Sequence, residues 1–79
     1  MRRAAQAAID DAIDTAAHAN TVRPIRDPND VVLVGLRCAV REALPKSASN
    51  RARRALEDAA MARLEPNLRP LLFPGRAAQ

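Results

Sequence analysis

The stretch Asp27-Pro28-Asn29-Asp30-Val31-Val32-Leu33-Val34-Gly35-Leu36-Arg37-Cys38-Ala39-Val40-Arg41-Glu42-Ala43-Leu44-Pro45 decides the fold. Its apolar start can be read as a strand, because β-branched residues favour sheets. Three features argue for helix instead. Asp27 is placed to cap a helix whose first position is Pro28, where the missing N–H costs nothing. Asp30 then falls at the third position, as in a loose capping box. The residues from Arg37 to Leu44 keep a helical pattern until Pro45 disfavours helix for the residue before it. No second strand is evident elsewhere for a sheet partner. The reading is a helix over 28–44, apolar nearly all round at its start and therefore central, with Cys38 in the core.

Working outward, residues 2–19 read as an amphipathic helix. Ala5, Ala8, Ile9, Ala12, Ile13 and Ala16 recur on one face at spacings of three and four, opposite Arg3, Asp10, Asp14 and His18. Residues 20–29 form a connection in which Pro24 and Pro28 exclude continuous helix, and Val22 and Ile25 are expected against the core. Residues 45–50 are a turn. Ser47 or Ser49 is expected to cap a third helix, over 49–65, with an apolar stripe of Ala52, Ala55, Leu56, Ala59 and Ala60 and with Leu64 at its margin. Pro66, Pro70 and Pro74 punctuate the rest. The predicted fold is all-α: a small three-helix bundle, one domain over 1–79, with a proline-interrupted C-terminal tail over 66–79.

Composition limits how such a bundle is stabilised. Alanine occupies eighteen positions, against three Ile, five Val, eight Leu and a single Phe. Alanine favours helix but buries little area. A core this thin in a chain of 79 residues ordinarily needs a staple, a metal or a partner. The single Cys38 excludes an intramolecular disulfide, and one His with one Cys excludes an ordinary four-ligand zinc site. Association with itself or with a protein partner is what remains. Arg2-Arg3 resembles a basic leader start, but Asp10, Asp11 and Asp14 break the apolar run that must follow. The longest apolar run, 31–36, is far short of the roughly 20 residues that span a bilayer. A cytoplasmic protein without membrane attachment is expected.

Catalysis finds little footing. Cys38, His18 and an aspartate can be drawn as a triad, but nothing in the sequence brings them together, and His18 falls on the polar face of its helix. Asp10 and Asp14 share a helix face, where two carboxylates are more often a solvated surface than a cation site. Gly35 and Gly75 are the only glycines, so no phosphate-cradling loop exists. No enzyme activity, cofactor, metal or small-molecule substrate is expected.

The charge distribution is more informative. The net charge is +4, with twelve Arg to one Lys, a bias that points to a GC-rich bacterial genome and so weakens arginine content as a sign of nucleic-acid binding. The excess lies in residues 46–79, with seven basic and three acidic side chains. Lys46, Arg51, Arg53 and Arg54 come without an intervening acid, beside Ser47, Ser49 and Asn50, around a helix N-terminus suited to phosphate contact. The span 41–56, within a longer 36–64 segment, resembles a helix-turn-helix. It differs in having Pro45 where a turn glycine is common, and in lacking the apolar residue that pins the second helix. That resemblance implies a small DNA-binding regulator. Pairing of Arg53 with Glu57 and of Arg54 with Asp58 at i,i+4, each worth only tenths of a kcal/mol, would trim the free positive charge. No aromatic residue lies nearby to stack on single-stranded bases.

The tail holds Leu71, Leu72 and Phe73. It is placed either to dock in a partner's groove or to fold back over the core, and the shortage of large side chains favours folding back. The function expected first is a non-enzymatic helical interaction module that binds a protein partner or itself. The candidate contact residues are Ile9 and Ile13 on an alanine-rich helix face suited to close approach, with Leu71, Leu72 and Phe73. DNA binding through residues 46–54 is the alternative.

Overall fold

A computed structural model describes residues 3–77, with side-chain surroundings described through Gly75. Arg2 and the last two tail positions lie outside the described residues. All regular structure among the described residues is helical, with α1 over Arg3–Val22, α2 over Val31–Ala43, α3 over Asn50–Ala62 and the short α4 over Arg69–Leu72 and α5 over Pro74–Ala77. No strand occurs among the described residues, so the strand reading of the 31–36 run is excluded.

α2 starts three residues later than the sequence pattern suggests. Asp30, not Asp27, is its N-cap, and the Asp30 carboxylate accepts the Val32 N–H at 3.1 Å. Asp27 instead closes the turn before it, accepting the Asn29 N–H on its side chain at 2.9 Å and the Asp30 N–H on its carbonyl at 3.0 Å. An aspartate before proline is as suited to an Asx turn as to a cap, and both occur here in series. α2 ends with Leu44 extended before Pro45. The α3 cap is Ser49, whose hydroxyl accepts the Ala52 N–H at 3.1 Å.

The core takes Ile9, Ile13 and Ala16 from α1, Leu33, Leu36, Val40 and Ala43 from α2, Ala60 from α3, and Ile25, Leu64, Leu68 and Leu72 from the connections and tail. On α2 these positions advance by three or four residues and face α1, its main packing partner. Cys38 and Val22 depart from expectation. Cys38 is exposed, because it lies on the opposite side of α2 from Leu33, Leu36 and Val40. Val22 is 75% exposed at the end of α1, which runs three residues further than the pattern suggests. Ile25 alone from that connection enters the core.

The proline-rich tail is part of the fold. α3 stops at Ala62 because the chain turns at 63–65 to bring Leu64 and Leu68 inward. Arg69 reaches back over this turn, donating to the Leu64 carbonyl at 2.9 Å and the Ala62 carbonyl at 3.4 Å, which satisfies orphaned acceptors at the helix end. Asn20 clips the other side. Its amide nitrogen donates to Glu65 at 2.7 Å and its oxygen accepts the Ile25 N–H at 2.9 Å. No buried polar side chain occurs among the described residues.

Candidate functional site

The predicted contact residues separate into core and surface. Ile9 is 2% exposed, Ile13 4% and Leu72 0%. All three hold the chain's own core together, so none is presented to a partner. The alanine stripe of α1 is poor in area: Ala5, Ala12 and Ala16 lie in or against the core, and Ala8 is exposed. Leu71 and Phe73 are half-buried at the edge of the core. Substitutions at Ile9 or Ile13 therefore test folding rather than a surface.

The apolar surface lies on α2 instead. Val31, Val34, Gly35 and Cys38 are spaced along one side of the helix and all are exposed. Val31 is 80% and Val34 38% exposed, and two of the three exposed large hydrophobic residues among the described residues thus lie on this side. A Cβ built on Gly35 meets nothing within 4 Å. Glycine in a helix interior costs roughly 0.5–1 kcal/mol relative to alanine, and nothing inside the fold requires it here.

The basic segment does not form one patch. Lys46, Ser47, Ser49, Asn50, Arg51, Arg53 and Arg54 are all exposed. The Ser49 hydroxyl is engaged as the α3 cap. Lys46 and Arg53 face a groove of about 440 Å³ between the C-terminal half of α2, the 45–48 turn and the start of α3, whereas Arg51 and Arg54 do not line it. The turn is closed by the Ala48 N–H donating to the Pro45 carbonyl at 3.0 Å. The groove floor is Val40, Leu44, Pro45, Ala48 and Phe73. Arg41 completes the basic rim, and Glu57 is its one acid. The connection from α2 to α3 spans residues 44–49, longer than the three or four residues of a helix-turn-helix turn.

Arg37 is the residue the sequence pattern does not mark. It borders the groove, but its guanidinium points into the fold and donates to the carbonyls of Pro28 at 2.7 Å, Leu72 at 3.1 Å and Leu71 at 3.5 Å. It therefore ties the entrance of α2 to the end of α4. An arginine within an apolar run, with a fork of donors and no carboxylate nearby in sequence, was the available signal.

The acidic face of α1 is engaged in part. Asp10 accepts from Gln6 at 2.9 Å and from Arg63, pairing α1 with the end of α3. The Arg63 guanidinium, then the Gln6 amide, hold the Asp10 carboxyl below its ordinary range. That contribution is present at neutral pH and is lost as pH falls through the depressed value. No group of three His, Cys, Asp or Glu side chains able to hold a metal ion occurs among the described residues. His18 is exposed on α1 and Cys38 on the outer side of α2. No helix among the described residues is long and apolar enough to cross a membrane. The chain matches no family model, no curated protein and no solved structure.

Proposed function

We propose that the chain is a non-enzymatic interaction module, binding a protein partner or a second copy of itself through the outer side of α2. The observation that carries this reading is the exposed Val31, Val34, Gly35 and Cys38 side. Small residues let a second helix approach closely, and the flanking valines supply apolar area that the chain's own core leaves uncovered. The sequence argument that the thin core calls for association supports the same reading, moved from α1 to α2.

Sedimentation of the wild type over a range of concentrations, with affinity capture if it is monomeric, tests this. Gly35→Glu places a charge on the face where there is room for it, so the variant is expected to stay folded and to lose association or the captured partner. Gly35→Ala is expected to keep the helix and to stabilise it by roughly 0.5–1 kcal/mol. Association or capture equal in wild type and Gly35→Glu, or absent from both, would refute the reading.

A second reading, DNA binding, is favoured by one feature: Asn50 to Ala55 of α3 are exposed on every side, with Arg51 and Arg54 among them. It predicts binding of random duplex DNA that weakens steeply toward about 0.2 M salt and is lost in Arg51→Gln/Arg54→Gln. Anisotropy of labelled duplex measures this, and binding insensitive to salt or to those substitutions counts against it.

A further inference from the structure

We propose that the groove between α2 and α3 binds an acidic segment of a protein partner, taking one large apolar side chain of that segment onto its floor. Neither Val34 nor Gly35 lines the groove, although its rim residue Arg41 follows Val34 and Cys38 on the same side of α2, so Gly35→Glu and the groove substitutions below test the two proposals separately.

Half of the lining side chains are apolar. Val40, Leu44, Pro45 and Ala48 line the groove together with Phe73, the chain's single aromatic residue, which is half-buried there. The space of about 440 Å³ accommodates a leucine, phenylalanine or tryptophan side chain with part of its flanking backbone. Around this floor the exposed Arg41, Lys46 and Arg53 set three cations against the single acid Glu57. The rim thus attracts carboxylates while the floor takes hydrocarbon, and complementary charge steers and selects such a partner.

Two features separate a peptide from other occupants. A small-molecule site ordinarily fixes its ligand with a few placed polar groups. Here the half-buried Arg37 is committed to the Pro28, Leu71 and Leu72 carbonyls. The other cations come from α2, the 45–48 turn and the start of α3, suited to several carboxylates along a chain. A DNA phosphate backbone would leave the concave floor unfilled. Arg51 and Arg54, the other cations of α3's first turns, lie off the groove.

The test uses the full chain and labelled short peptides in which acidic residues flank one leucine, phenylalanine or tryptophan at varied spacing, with fluorescence anisotropy as the readout. At least one such peptide is expected to bind, and to lose binding when its apolar residue becomes serine. Arg41→Gln/Lys46→Gln is expected to weaken it by about tenfold or more, and added salt to do likewise. Ala48→Phe, which fills the floor without changing charge, is expected to weaken it comparably. Circular dichroism establishes that each variant is folded, and the rim pair decides the matter if Ala48→Phe is not. Four outcomes would overturn the proposal: no peptide binds at low salt, the serine peptides bind equally well, the rim substitutions have no effect, or duplex DNA displaces the peptides at equal charge.

Discussion

Leu72→Ala is expected to destabilise the protein by about 2–5 kcal/mol, the range for removing a fully buried leucine side chain. Leu72 has no exposed surface and packs in the same cluster as Leu33, Leu36 and Leu68. A folded chain of 79 residues has a total stability on the order of 4–12 kcal/mol. One methylene-rich side chain in the tail therefore accounts for a large part of the margin. Thermal unfolding followed by circular dichroism should show a midpoint lowered by roughly 10–40 °C. The neighbouring exposed Pro74 provides the contrast, since its replacement by alanine removes no comparable burial. A Leu72→Ala midpoint within a few degrees of wild type would show that the tail is an appendage, contrary to the packing described above.

Arg37→Ala is the second large effect, with an expected loss of about 2–3 kcal/mol. The substitution acts on hydrogen bonds to backbone carbonyls. It removes charge-assisted donors from the Pro28 and Leu72 carbonyls, which are partly shielded from water, and from the more distant Leu71 carbonyl. Those acceptors must then be rehydrated or left unpaired, and the link between the start of α2 and the end of α4 is broken. Arg37→Lys should recover only a fraction, because a single ammonium cannot present two nitrogens in the guanidinium's planar fork. Denaturant midpoints for the three proteins check this. A full rescue by lysine would mean that charge alone, rather than the forked geometry, holds the two segments.

Local chemistry settled the helices of this protein. A serine cap at Ser47 or Ser49, the stop at Pro45, and the three-and-four spacing of Ile9, Ile13 and Ala16 each act within a turn or two of chain, so they could be read without neighbours, and the cap itself is Ser49. Val22 and Ile25 were equally legible as inward, and only the fold takes Ile25 into the core and leaves Val22 exposed. Asp27 and Asp30 were harder. Both residues make good caps, and only the path of the chain into α2 decides which carboxylate meets an open helix end.

The surfaces depended on tertiary structure. An apolar stripe identifies a face that wants covering, but not whether the cover is the same chain. For Ile9 and Ile13 it is α2, and for Leu72 it is the body of the core. α2 is apolar nearly all round at its start, so periodicity could not rank its sides. Packing against α1 put Leu33, Leu36 and Val40 inside and left Val31, Val34 and Cys38 in water. The groove joins α2 to Phe73 of the tail, segments far apart in sequence, and Arg37 reaches the Leu72 carbonyl across 35 positions. Such pairings are set by how the helices pack, because spacing along a chain fixes only the contacts that a single helix makes with itself.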